Sequence, residues 1–284
     1  MPELPEVETV RRGLAPVLEG RRIVAAEARR PDLRFPLPLN FAARLTGRRV
    51  VTLRRRAKYL LADLDNGMVW LTHLGMSGRW TILAKGKEAP GGFYYAGAPN
   101  PTHTHVVLET DAPALLEYND PRRFGYMDLI PAAHLEDHLY FKGMGPEPLG
   151  NAFNAGHLVA AFRGKKTSVK AALLDQRVVA GLGNIYVCEA LHRAAISPKR
   201  LAGSISAARL EALAAAVRET LAEAIEAGGS SISDYAAADG ALGYFQHRFR
   251  VYDREGKPCP RCGALIKRIV QTGRSTFYCS ACQR

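Results

Sequence analysis

Four of the five cysteines form two Cys-x-x-Cys pairs near the C-terminus, Cys259/Cys262 and Cys279/Cys282, separated by sixteen residues. Two such knuckles at this spacing bring four thiolates around a single tetrahedral ion, and soft sulfur donors in that geometry select zinc. Four protein ligands leave no open position, so the ion is expected to be structural. The module, residues 256–284, is too short to bury a core of its own, and metal binding would supply its folding free energy. From Lys257 to Arg284 it carries six cations (Lys257, Arg261, Lys267, Arg268, Arg274 and Arg284) and no acid. A basic, metal-stapled hairpin suits contact with phosphate. The odd cysteine count argues against a disulfide framework. Cys188, inside a helical stretch, is expected to be a packing thiol.

Upstream, the hydrophobic period changes twice. Residues 5–18 place Val7, Val10, Leu14 and Val17 at helical spacing, with Pro5 in the first turn. Short β-prone runs follow at Ile23–Ala28, Val50–Leu53, Tyr59–Leu64, Met68–Thr72, His105–Glu109, Leu115–Tyr118 and Tyr126–Ile130, with a hairpin signal at Asp65-Asn66-Gly67. Many short strands with turn signals predict a sandwich or barrel. The Gly/Pro-rich stretch 143–150 ends this region. Helical patterns return at Val169–Leu174, Ile185–Arg193 and Ala207–Ala227, the last with Ser206 as N-cap, Leu210, Leu213, Val217, Leu221 and Ile225 on one face, and Gly228 as its stop. Ser230–Gly243, small and polar, is expected to be a loop.

Lys and Arg total 39 against 27 acids, a net charge of +12. That balance favours polyanions, nucleic acid first and an anionic membrane surface second. No run of 18 apolar residues occurs, so no spanning helix is expected. The acidic N-terminus lacks the bases of a secretion signal, which predicts a cytoplasmic protein. Removal of Met1 would leave Pro2 with a free secondary amine. An α-amine titrates near 7.7–8.0 against about 10.4 for lysine, so roughly a third is unprotonated at pH 7.5. Such an amine can attack an electrophilic carbon, C1′ of a sugar included, and form an iminium electron sink. Glu3 and Glu6 beside it could move protons. Alone, a Pro-Glu start is a weak signal, since many cytosolic proteins begin this way with no chemistry.

The opening Met1-Pro-Glu-Leu-Pro-Glu-Val-Glu-Thr-Val10 closely resembles that of the bacterial formamidopyrimidine-DNA glycosylases, the Fpg/MutM family. The likeness continues in order through Lys58-Tyr59, His73-Leu-Gly-Met-Ser-Gly78, Asn119-Asp-Pro-Arg-Arg-Phe-Gly125, Gly145-Pro-Glu-Pro-Leu149, Gly181-Leu-Gly-Asn-Ile-Tyr186 and Gly273-Arg-Ser-Thr-Phe-Tyr-Cys279, across nearly the whole chain. The resemblance implies an α+β fold: an N-terminal β-sandwich with a leading helix, a helix–two-turn–helix domain and a C-terminal zinc-finger β-hairpin. The implied divisions are a catalytic sandwich over 2–135, a linker over 136–150, a DNA-binding domain over 151–246 with a lesion loop at 229–243, and the finger over 247–284. The implied activity is flipping and excision of oxidised purines (8-oxoguanine, formamidopyrimidines) from double-stranded DNA, followed by β,δ-elimination at the abasic site. One structural zinc ion and a monomer, bound to the nucleoid and needing no protein partner, complete the expectation.

Residue by residue, Pro2 resembles the family nucleophile and Glu3 its acid/base. Lys58 resembles the catalytic lysine, although by pattern alone it is one more cation of the Arg54–Lys58 run. Arg274 matches the finger arginine that meets a phosphate near the lesion. Met76, Arg122 and Phe124 match the residues that fill the hole left by a flipped nucleotide. By type Met76 and Phe124 would be buried, but their settings, Gly75-Met-Ser-Gly78 and Arg122-Arg123-Phe124, favour exposure. His103 and Lys165 (or Lys166) are expected to contact DNA. Asn184, at the start of a helix, could hold a phosphate, act as N-cap, or both. Many members carry Asp between the histidines of His103-Thr104-His105. Two other readings compete: an endonuclease VIII-type enzyme for oxidised pyrimidines, disfavoured by Leu4, and a non-catalytic DNA-binding protein, which leaves Pro2, Glu3 and Lys58 without a role.

Overall fold

In the computed structural model the N-terminal periodicity becomes helix α1, Leu4–Leu18. The structure describes residues 2–84, 100–112, 114–230 and 244–284. Two units emerge, Met1–Lys142 with Ala227–Tyr244, and Gly143–Glu226 with Phe245–Arg284. Met1 and residues 231–243 of the expected lesion loop lie outside the described residues; Gly229 and Ser230 lie inside them.

The first unit follows α1 with β1 (Ile23–Ala28), α2 (Phe41–Leu45), β2 (Val50–Arg56), β3 (Tyr59–Leu64), β4 (Met68–His73), β5 (Arg79–Ala84), β6 (Thr104–Thr110), β7 (Ala114–Asn119) and β8 (Tyr126–Pro131). They form two antiparallel sheets, ordered β1-β6-β7-β5 and β2-β3-β4-β8. The sheets face each other across one apolar cluster, as in a sandwich. Trp70 of β4 meets Trp80 of β5 edge-to-face, centroids 5.6 Å apart. Val7, Val10, Leu14 and Leu18 of α1 enter the same cluster, each contributing roughly 1.5–3 kcal/mol by burial. Leu18, not Val17, takes the last core position, because four residues bring it back under Leu14 while Val17 is only partly buried. Strand β5 and helix α2 were not among the expected elements.

The second unit holds α3 (Ala155–Phe162), α4 (Val169–Leu174), α5 (Asn184–Arg193), α6 (Ala207–Glu226) and the hairpin β9 (Ile266–Gln271)–β10 (Arg274–Cys279). The expected face of α6, Leu210, Leu213, Val217, Leu221 and Ile225, is buried. Arg193 closes α5 on α6 through Glu219 and Glu223. Glu189 of α5 accepts the backbone N–H groups of Arg250, Val251 and Tyr252 at 2.9, 3.0 and 2.8 Å. That buried carboxylate fixes the strand of chain entering the finger. Cys188 packs, as expected of it, against Val251, Ile266 and Phe277. Among the described residues no helix is long and apolar enough to cross a membrane.

Candidate active site and nucleic-acid interface

The start of α1 is over-determined. Glu3 is its N-cap and forms a capping box with Glu6, whose Oε2 accepts the Glu3 N–H at 2.8 Å. Pro2 and Glu3 are buried. The helix runs antiparallel to β2. Gly20 N–H donates to the Val50 carbonyl at 2.7 Å, Arg11 to the Leu53 carbonyl at 3.2 Å, and Arg55 to Glu8 at 3.3 Å. Each step toward the helix start is a step toward the end of β2, and this register carries Pro2 and Glu3 toward the β2–β3 turn. That turn holds Ala57 at φ 53° and the half-buried Lys58. Burial pushes the Glu8 carboxyl up, but the guanidinium groups of Arg11, Arg12 and Arg55 outweigh it and hold it below the usual range.

Glu6 also reaches the far end of this unit's chain. Its Oε1 accepts the Ser230 N–H at 2.8 Å and the Ser230 hydroxyl at 2.9 Å. Gly229, at φ +77°, passes so close that a Cβ would lie 3.1 Å from the Glu6 side chain. Sequence alone offered Glu6 as a proton carrier; in the fold both its oxygens accept hydrogen bonds that position backbone.

A second cluster forms where the turn after β4 meets the turn after β7. Asp120 is fully buried and accepts the Ser77 hydroxyl at 2.6 Å and the Gly125 N–H at 2.8 Å. The Ser77 oxygen accepts the Arg122 N–H at 3.2 Å. Gly75 approaches Phe124 so closely that a Cβ would sit 2.3 Å from its backbone carbon, so no other residue fits. This clamp presents Met76 and Phe124 outward, 39% and 42% exposed, and sets the Arg122 guanidinium 4.8 Å from the Phe124 ring centroid. His103 is joined to the clamp through its carbonyl, which accepts the Asp120 N–H at 2.9 Å.

His73 lies within a family-like motif, and the sequence assigns it no role. In the fold its Nδ1 accepts the Gly75 N–H at 3.1 Å, and its ring stacks on Tyr126 with centroids 4.8 Å apart. Burial, with the charges of Lys58 and Arg34, pushes it down to about 3. It is therefore a neutral imidazole whose proton sits on Nε2. His73, Arg34, Met76, Arg122 and Phe124 share the lining of one concavity of about 540 Å³.

The second unit groups a different set. Asn184 is the first residue of α5, and Gly183 is the N-cap. Free of capping, the Asn184 amide donates to the Ser275 carbonyl on β10 at 2.9 Å. Lys170 of α4, wholly buried, donates to the same carbonyl at 3.2 Å and to the Thr276 hydroxyl at 2.6 Å. Both grip β10 next to Arg274, whose side chain is exposed at the strand's start. Lys170 had no sequence signal, since a lysine beside Thr167-Ser168 reads as solvated. Lys165 lies in the turn after α3, its N–H on the Phe162 carbonyl, half-buried beside exposed Lys166.

The four cysteine sulfurs, Cys259, Cys262, Cys279 and Cys282, lie within 4.8 Å of one another. Cys259 and Cys282 are 3.9 Å apart, and Cys262 and Cys279 3.5 Å. Metal–sulfur bonds of about 2.3 Å in a tetrahedron give edges of about 3.8 Å. The donors therefore fit one structural metal ion.

Residues 1–127 match the family model described as the formamidopyrimidine-DNA glycosylase N-terminal domain, and residues 144–236 match the H2TH domain of the same family. The chain belongs to the formamidopyrimidine-DNA glycosylase family. Residues 256–284 match the zinc finger found in FPG and IleRS, the module that the cysteine spacing alone required. The formamidopyrimidine-DNA glycosylase of Phenylobacterium zucineum is 62% identical over 287 residues, covering all of both chains. A Lactococcus lactis Fpg variant, solved with Fapy-dG-containing DNA, superposes with a TM-score of 0.87 at 34% identity, covering all of both chains. MutM in complex with DNA containing carbocyclic 8-oxo-G superposes at 0.86, with the same identity and coverage. The expected α+β fold, with sandwich, H2TH domain and cysteine finger, is thus the fold of this family.

Proposed function

We propose that the protein is a bifunctional DNA glycosylase and abasic-site lyase that removes 8-oxoguanine and formamidopyrimidines from duplex DNA in base excision repair. The relatives' lesion-containing DNA complexes support the substrate class. The observation that carries the reading is the register of α1 on β2, which turns the Pro2–Glu3 end of the helix toward Lys58. A simple DNA-binding protein has no need of an amine and a carboxyl turned toward a lysine.

With Met1 removed, the Pro2 lone pair forms a bond to C1′ as the C1′–N bond to the base breaks. The base leaves with a proton, and Glu3 serves the proton transfers that open the sugar. The iminium on Pro2 draws electrons from C2′, so loss of a C2′ proton expels the 3′-phosphate and a second elimination expels the 5′-phosphate. Lys58, neighbour of neutral His73, supplies a cation for a phosphate of the damaged strand. Met76 and Phe124 occupy the stack vacated by the flipped nucleotide, and Arg122 hydrogen-bonds the orphaned base. In the second unit Arg274 and Asn184 address phosphates, with His103 and Lys165 as further DNA contacts. The four cysteines would hold a zinc ion with no open coordination position, and it would supply folding energy to the finger. One chain supplies every group, so we read the protein as a monomer acting on cytoplasmic DNA.

The test is borohydride trapping on a duplex with one 8-oxoguanine opposite cytosine, followed by peptide mapping. An adduct on Pro2, absent in Pro2→Gly while duplex binding persists, is the expected result. Trapping only with an oxidised pyrimidine overturns the purine assignment, and tight binding without any adduct overturns the enzyme assignment.

A further inference from the structure

The last turn of α5 faces the finger with a histidine. His192 is 1% exposed, and its Nε2 lies 3.3 Å from the Sγ of Cys259. Its Nδ1 is buried with no hydrogen-bond partner among the described residues. The Arg261 N–H also points at the same sulfur, at 3.4 Å. Cys259 itself is 3% exposed.

A metal-bound cysteine is a thiolate, which accepts hydrogen bonds and donates none. A ring nitrogen within reach of it must therefore carry the proton. The alternative tautomer would aim a lone pair at the sulfur and leave an N–H donor buried without an acceptor. Hence Nε2 is the donor and Nδ1 the bare acceptor. Four thiolates around one divalent ion leave two surplus negative charges, and N–H···S bonds are how a protein disperses them. Cys259 receives one such bond from the finger's own backbone and one from a side chain outside the finger.

We propose that His192 is an outer-sphere ligand of the finger's metal ion: its Nε2–H donates to the Cys259 thiolate and slows loss of the ion. The proposal rests on reading the four-cysteine cluster as a zinc site. It makes α5 a double fastening, with Asn184 at the helix start holding Ser275 of β10 and His192 at its end holding a ligand sulfur. His192 is a positioning residue for the ion and touches no DNA in this scheme.

The experiment uses the full chain, loaded with zinc for release kinetics and with cobalt for spectroscopy. His192→Phe keeps a flat ring and deletes the donor, whereas His192→Gln keeps a donor of similar reach. Transfer of zinc to an excess chromogenic chelator should be about ten- to a hundredfold faster in His192→Phe. Its sulfur-to-cobalt charge-transfer band should move to longer wavelength, as expected of a more electron-rich thiolate. His192→Gln should restore both toward wild type, and thermal unfolding of the whole chain by circular dichroism checks that both variants fold. Wild-type release rates and an unmoved cobalt band in His192→Phe overturn the assignment. Faster release that Gln does not rescue assigns the effect to packing and overturns it equally. A wild-type chain that binds neither zinc nor cobalt overturns the zinc reading along with it.

Discussion

Glu6→Gln is a one-atom perturbation of the carboxylate that links the N-cap to Ser230. Glu6 Oε2 accepts the Glu3 N–H, and Oε1 accepts the Ser230 N–H and hydroxyl. An amide has a single oxygen. Facing Ser230, it preserves two bonds and turns its NH2 onto the Glu3 N–H, so one bond is lost and two buried donors oppose each other. Facing Glu3, it loses both bonds to Ser230. The first choice is cheaper and costs about 1–3 kcal/mol, the penalty of an unsatisfied buried donor. That cost falls on the residue next to the proposed nucleophile. If it is drawn from the placement of Pro2, it corresponds to about a 5- to 150-fold slower chemical step. Single-turnover excision of 8-oxoguanine opposite cytosine, with enzyme in excess, reads the step directly, and borohydride trapping reads the Schiff base in parallel. Duplex affinity should stay within about twofold, because Glu6 is 2% exposed and presents no surface to DNA. A variant with the wild-type single-turnover rate would refute the claim that the capping box orients Pro2.

Other outcomes follow from buried groups. Asp120→Ala removes the acceptor of the Ser77 and Gly125 bonds and should destabilise the first unit by about 3 kcal/mol or more, measured by urea unfolding on tryptophan fluorescence; an unchanged midpoint would mean the clamp is not needed. Lys170→Met strands the buried Thr276 hydroxyl and should cost about 2–4 kcal/mol, with amide exchange of β10 rising ahead of the rest of the second unit. His73 sits at about 3 in the fold and near 6.5 when unfolded, so between those values the unfolded chain holds more protons. His73 stability is complete above about pH 6.5 and declines as pH falls toward 3. In His73→Gln, urea midpoints at pH 4.5 and 7 should differ less than in wild type; an identical pH slope would show that His73 is not buried neutral.

The order of the architecture was legible because helices and strands leave different periods. The leading helix, seven of eight sandwich strands, the long α6 and the cysteine finger each carry a local signal. Strand β5 was missed although Trp80 and Ile82 alternate with Arg79 and Thr81, because it follows a glycine-rich turn that reads as loop. Helices α2 and α3, at five and eight residues, are too short for their period to stand out. Asn184 was open to reading as a cap, yet Gly183 caps and the amide donates to Ser275, which leaves a second N–H for a phosphate. The supporting groups were invisible for one reason. Glu6 finds Ser230, Asp120 finds Ser77, Lys170 finds Thr276 and His192 finds Cys259. Each pair is separated by tens to hundreds of residues, and no window along the chain contains both members.

The anchoring of Ser230 has an evolutionary consequence. Ser230 pairs with Tyr244 in an isolated β-bridge, and the Tyr244 N–H returns to the Ala227 carbonyl at 3.0 Å. Both ends of the intervening stretch are thus tied at one place, with Glu6 on the near side. Between fixed ends, doubling a segment's length costs only about 0.6 kcal/mol in closure entropy. Insertions, deletions or wholesale replacement between these two residues are expected to leave the Glu6–Ser230 anchor in place. If that stretch is where a lesion is judged, lesion preference is an exchangeable cassette, and grafting the corresponding stretch from a relative should transplant preference while the rate of elimination at an abasic site stays with the host.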